Sequence, residues 1–170
     1  MKYYDLAEAS AFTKHDPGLL GYAAIAGIGT DFIVSEKHVG NTAKPSILYG
    51  KEPGMFMRSL HSNSTAFFCF DDFEAMNKVV AAASETGKPI LIPVSRIFSK
   101  DKPQELRSIA RARRLVSVVL EYDATPILAT MASNKNQLLS SLQLFEVGVM
   151  LGFPEKNAKE AMSKLGDLID

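Results

Sequence analysis

One cysteine, three histidines and no net charge are what this sequence has little of, and each shortage removes a class of protein. A lone Cys69 cannot form an intramolecular disulfide, so the chain is expected in a reducing compartment, the cytoplasm. It lies inside the apolar run Ala66-Phe67-Phe68-Cys69-Phe70, the setting of a small buried side chain rather than of a nucleophile. Nineteen basic and nineteen acidic residues cancel, which leaves no overall field to draw the molecule to nucleic acid or to a membrane. No apolar run approaches the roughly 18 residues of a membrane-spanning helix. Tyr3, Tyr4 and Asp5 stand where a signal peptide would need its apolar core. His15, His38 and His61 are spaced too widely to read as a metal site. Gly27-Ile28-Gly29-Thr30 follows a strand, but Phe32 occupies the place of the third glycine of a dinucleotide loop. No cofactor, no metal and no protein-borne catalytic residue is expected.

What is present is an ordinary globular composition, 46% hydrophobic and 22% charged over 170 residues, enough for one core and one domain spanning 1–170. Seven short runs rich in aromatic or β-branched residues read as strands: 3–6, 22–26, 32–34, 47–49, 66–70, 90–94 and 127–131. Several are apolar on both faces, the mark of buried parallel strands covered by helices. A helix is predicted to open at Asp71, with Glu74 completing a capping box, and to stop at Gly87. A second is predicted over 103–122, and a third over 136–151 with Asn134 as cap and Gly152 as stop. Pro154 suits the first turn of a last helix that ends near Leu168, with Ala158, Ala161, Met162 and Leu165 inward. Alternation of this kind argues an α/β fold with a parallel sheet.

Three stretches carry a family resemblance. They are Leu19-Leu20-Gly21-Tyr22, Gly87-Lys88-Pro89-Ile90-Leu91-Ile92-Pro93-Val94, and a C-terminal set. That set runs Thr125-Pro126-Ile127-Leu128-Ala129-Thr130, then Val147-Gly148-Val149-Met150-Leu151-Gly152-Phe153, then Asn157-Ala158-Lys159-Glu160-Ala161-Met162-Ser163. In this order they resemble the barrel-shaped protein subunit of ribonuclease P, called component 3 in archaea. The resemblance covers about two-thirds of the chain and implies a (β/α) barrel of the TIM-barrel-like kind, similar to the PHP phosphoesterases. A full eight-fold barrel takes about 200 residues or more. The expected fold is therefore trimmed, with helices missing or vestigial within the first 65 positions. The family's twin serine, arginine, proline and aspartate fall here on Ala129-Thr130, Leu139, Ser141 and Gln143, so those polar contacts do not carry over.

The charge is uneven although it sums to zero. Between Lys88 and Leu115 stand eight basic residues against two acidic ones. Arg107, Arg111 and Arg114 fall within about 60° of one another on a helix, with Leu106, Ile109, Val116 and Leu120 expected on the opposite, core side. Guanidinium forks at this spacing suit successive phosphates of an RNA backbone, and a solvated helix face is the competing reading. Arg113 faces the apolar side in this projection and is expected to snorkel or to pair at an interface. In a barrel, polar residues that follow strands gather at one mouth. Here they are Ser95 and Arg96, Asp71 and Asp72, and Ser133, Asn134 and Lys135, with Asp71 also explicable as a helix cap. The expected RNA-binding set is Arg107, Arg111, Arg114, Lys100, Lys102, Arg96, Ser133 and Lys135.

The resemblance implies a non-catalytic subunit supporting RNA-based removal of 5′ leaders from precursor tRNA. Its partners would be the ribonuclease P RNA and a smaller α/β protein subunit, with precursor tRNA met indirectly and no membrane. Two alternatives stand beside it: a stand-alone metal-dependent phosphoesterase of PHP-like fold, and a degenerate barrel serving as a protein-interaction module. The first strand holds Asp5 and Glu8 but lacks the His-x-His pair of the PHP type.

Overall fold

The computed structural model describes residues 1–8, 11, 16–37, 44–98 and 101–168. Seven strands occur where the apolar runs place them: β1 (Tyr4–Glu8), β2 (Ala24–Ile28), β3 (Ile33–Ser35), β4 (Ser46–Gly50), β5 (Thr65–Phe70), β6 (Ile90–Pro93) and β7 (Pro126–Ala129). Among the described residues five helices follow the later strands: α1 (Pro53–Ser59), α2 (Asn77–Glu85), α3 (Lys102–Glu121), α4 (Ser141–Met150) and α5 (Glu155–Ser163). Every strand pairing is parallel, β1 with β2, and β3 through β7 in chain order. The chain is thus mixed α/β with parallel sheets.

Two single bridges tie the sheets together, Ala7 to Ala132 beyond β7 and Ile28 to Phe32 ahead of β3. The amide of Glu8 donates to the Ala132 carbonyl at 2.8 Å, and that of Gly29 to the Phe32 carbonyl at 2.6 Å. Only a turn separates β2 from β3, and α1 is seven residues long, so the early connections described are short.

Strand residues alternate between two buried clusters, as a period of two requires. Leu6, Ala26, Ile47, Phe67, Cys69, Leu91, Ile127 and Ala129 pack on one another in a first cluster, with Phe32 against Phe67 at 5.0 Å. The intervening Leu48, Phe68, Phe70, Ile90, Ile92 and Leu128 pack against the helices in a second. Both faces are dry, which is why these strands read as unbroken apolar runs. Gly148 lets α4 approach β7, because a Cβ there would stand 2.7 Å from a Leu128 methyl and 3.4 Å from Ala158.

Two helix starts differ from the sequence expectation. Asp71 caps nothing: Asp71–Phe73 is a separate turn in which Asp72 and Phe73 take positive φ, and α2 begins only at Asn77. The Asp71 carboxylate is taken by the Tyr49 hydroxyl, and the Phe73 side chain is buried. The third helix does not start at 136. Asn134 caps a short turn, Lys135–Gln137, and α4 starts after Ser140, whose hydroxyl accepts from the Gln143 amide while Gln143 accepts from the Ser140 amide. This reciprocal capping box outcompetes the earlier signal.

The buried face of α3 is also rotated from the expected one. Ser108, Ala112, Leu115, Val116, Val118 and Val119 point inward, and Leu106 is 67% exposed. The core arc therefore lies about a quarter turn from the arginine stripe rather than opposite it. The stripe flanks the core and borders the Asp71–Phe73 turn. No described helix is long and apolar enough to cross a membrane.

Candidate functional site

Because the strands within each sheet run parallel, and a bridge from Ala7 to Ala132 sets β1 beside the segment after β7, residues that follow several strands collect along one edge. Glu8 ends β1, Tyr49 and Lys51 flank the end of β4, Asp71 and Asp72 follow β5, and Ser95 and Arg96 follow β6. Ser133 and Gln137 lie just beyond β7. Local structure pins several of them. The Ser95 amide donates to the Thr130 carbonyl at 2.8 Å and its hydroxyl to the Met131 carbonyl at 3.0 Å. The Ser133 amide and hydroxyl donate to Gln137 Oε1 at 2.9 and 2.8 Å.

Tyr49 and Arg96 form the centre of this edge. The Arg96 guanidinium lies over the Tyr49 ring, 4.1 Å from its centroid, and the Tyr49 hydroxyl donates to Asp71. Partial burial and the bond to Asp71 push the Tyr49 hydroxyl up to about 12, with Arg96 pulling the other way, so it stays a neutral donor. Arg96 separates two clefts. One, of about 380 Å³, holds Tyr49, Asp71, Asp72, Gln104 and Ser108; the other, of about 540 Å³, opens toward Glu8, Met131 and Gln137. A third cleft of about 550 Å³ brings Lys51, Arg111 and Arg114 beside Asp72 and Glu74.

The expected basic set is thus only partly gathered. Arg111 pairs with Asp72, Arg114 borders the same cleft, and Arg107 is exposed on the same flank of α3. Arg96 stands at the centre, while Ser133 and Lys135 lie on the turn beyond β7. Lys102 is exposed and pairs with Glu105 at 3.0 Å. Lys100 lies outside the described residues. Two other cations of the same stretch point elsewhere. Lys88 Nζ donates to the Ser62 and Thr65 carbonyls at 3.0 and 2.7 Å, at the opposite end of β5, and burial lowers its pKa. Arg113 Nε donates at 2.8 Å to the Met150 carbonyl, where the dipole of α4 favours a cation, and so bridges two helices.

Glu8, Tyr49, Lys51 and Gln137 were not legible as site residues. Each is an unremarkable polar residue at or near a strand end, and only side-by-side parallel pairing brings them together. Among the described residues no group of three His, Cys, Asp or Glu side chains converges; His61 is exposed, and His15 and His38 lie outside the described residues. Cys69 is fully buried, and burial pushes its thiol up to about 12, which leaves it protonated.

The backbone has a solved counterpart. It is similar to a chain in the cryo-EM structure of archaeal ribonuclease P with mature tRNA, at a TM-score of 0.70 and 14% identity, over 97% of this chain and 80% of that one. No family model and no curated protein matches the sequence. The shared property is therefore the fold, a ribonuclease P subunit-like one, carried by packing that very different side chains satisfy. The departures named in the sequence have structural uses here. Gln143 completes the cap of α4, and Leu139 borders a small apolar cleft with Phe98 and Val94.

Proposed function

We propose that the chain is a barrel-type protein subunit of ribonuclease P, of the component 3 kind, which supports RNA-based removal of 5′ leaders from precursor tRNA in the cytoplasm. The backbone likeness to a chain of the archaeal enzyme, across 97% of this chain and 80% of that one, supports this reading. The two bridges that join the sheets support taking the seven strands as one ring, a trimmed (β/α) barrel, with Tyr4, Leu6, Phe32 and Phe67 among the side chains that fill it.

In this reading the RNA performs the chemistry and the protein supplies shape and cations. Arg107, Arg111 and Arg114 meet phosphates of the ribonuclease P RNA, and Arg96, Lys100, Lys102, Ser133 and Lys135 supply further contacts to it. A smaller α/β protein subunit covers another face, and precursor tRNA is met only through the assembly. The exposed pair between Arg111 and Asp72 holds the guanidinium in place at little energetic cost, since a surface ion pair is worth about 1 kcal/mol or less. A phosphate therefore displaces Asp72 easily.

Affinity purification of the chain with sequencing of bound RNA tests the reading: ribonuclease P RNA is expected, and its absence from an intact complex would overturn it. Replacing Arg107, Arg111 and Arg114 by Ala should weaken RNA binding and flatten its salt dependence by roughly 0.9 per lost phosphate contact on duplex-like RNA. An unchanged slope removes α3 from the interface.

A further inference from the structure

The cleft between Glu8 and Arg96 lies apart from the arginine stripe, and its chemistry differs. Its apolar lining is Ile28, Val34 and Met131, and it carries one exposed carboxylate, Glu8, and one exposed guanidinium, Arg96. Opposite charges of equal number make a poor pocket for a bare phosphate. They make a good one for a flat, polar heterocycle. Arg96 lines this cleft and its neighbour, whereas Tyr49 lines only the neighbour, so Tyr49 backs the guanidinium from behind. Tyr49 is itself anchored through its hydroxyl to Asp71. The Arg96 guanidinium, held against the Tyr49 ring, also lines this cleft, and a guanidinium plane is the kind of surface on which unpaired bases rest.

Glu8 supplies the selectivity. An ionised carboxylate only accepts hydrogen bonds, through two oxygens side by side. The Watson–Crick edge of guanine presents two adjacent N–H donors that match such a fork, whereas uracil presents one donor between two acceptors. Gln137, already accepting from Ser133, completes the rim with its amide donors. About 540 Å³ is ample for one base and its ribose.

We propose that the cleft at the strand ends captures one unpaired guanine, stacked on Arg96 and read by the Glu8 carboxylate. This rests on the reading of the chain as an RNA-bound subunit and adds base recognition to backbone contact. The test titrates the full-length chain with guanosine 5′-monophosphate, uridine 5′-monophosphate and inorganic phosphate, following the backbone amides of Ser95, Ser133 and Gln137 by NMR. Guanosine monophosphate should shift these amides saturably and bind roughly tenfold more tightly than uridine monophosphate. Glu8→Gln should erase that preference, Glu8→Asp should reduce it, and Arg96→Ala should weaken both nucleotides. Both side chains are exposed, so the variants should melt as the parent does. Equal responses to all three probes, a preference that survives Glu8→Gln, or no saturation by guanosine monophosphate would overturn the proposal. None of these results depends on whether ribonuclease P RNA co-purifies, so the two readings fail separately.

Discussion

Asp5 is the residue on which sequence and environment disagree most. Its carboxylate is fully buried and accepts from the Thr130 amide at 2.7 Å and the Thr130 hydroxyl at 2.6 Å, clasping β1 to the segment after β7. Burial pushes its pKa up to about 6, and the Thr130 bonds offset only part of that rise. Between about pH 4, where an unfolded aspartate titrates, and about pH 6 the native state holds the extra proton. The stability it contributes is therefore complete below that window and is lost as pH rises through 6. At neutral pH the ionised group costs on the order of 3 kcal/mol relative to its protonated form. Asp5→Asn keeps an acceptor for the Thr130 amide and frees the Thr130 hydroxyl to turn to the Leu6 carbonyl, 3.4 Å away. Urea melts of the variant should show higher stability than the parent at pH 7 and no slope between pH 4 and 6. A slope like the parent's would assign the titration to another group.

At the scale of elements, α3 shows how a helix can be located correctly and oriented wrongly. Its span differs by one residue at each end from the expected 103–122, yet the buried face is turned by about a quarter of a revolution. The cause is composition: Leu106, Ile109, Val116 and Leu120 form one apolar arc, but the smaller Ser108 and Ala112 allow the backbone closer to its neighbours. Leu115→Ala should then cost about 2–5 kcal/mol in thermal or urea denaturation, and Leu106→Ala less than about 0.5. The reverse ranking would restore the face read from sequence. The same rotation sets Arg111 and Arg114 beside Lys51 and Asp72 in one cleft.

For the molecule as a whole, the strands are shared by two cores, one on each face, so neither can melt while the other remains packed. Tyr22 and Ile25 of the β1–β2 region belong to the cluster that also holds α3, α4 and α5. A single cooperative unit over 1–170 follows as an expectation: urea transitions followed by tyrosine fluorescence and by far-UV circular dichroism should coincide. Separate midpoints would show that β1–β2 and β3–β7 unfold as independent bodies.

The seven strands, the parallel α/β class and the long helix were legible in the sequence, because burial on both faces writes itself as short apolar runs and helix ends write themselves as Gly87 and Gly152. Burial of Cys69 was legible for the same reason. Asp71 was misread because a capping signal is local, whereas its partner Tyr49 lies on another strand, 22 residues away. Glu8, Tyr49 and Gln137 carried no signal at all. The sequence by itself determined where the seven strands and the long helix lie, though not α1 or the starts of α2 and α4, since that depends on periodicity within a few residues of chain. Only the tertiary structure decided which polar side chains share the mouth of the sheet, because parallel pairing joins the ends of segments that sequence keeps far apart.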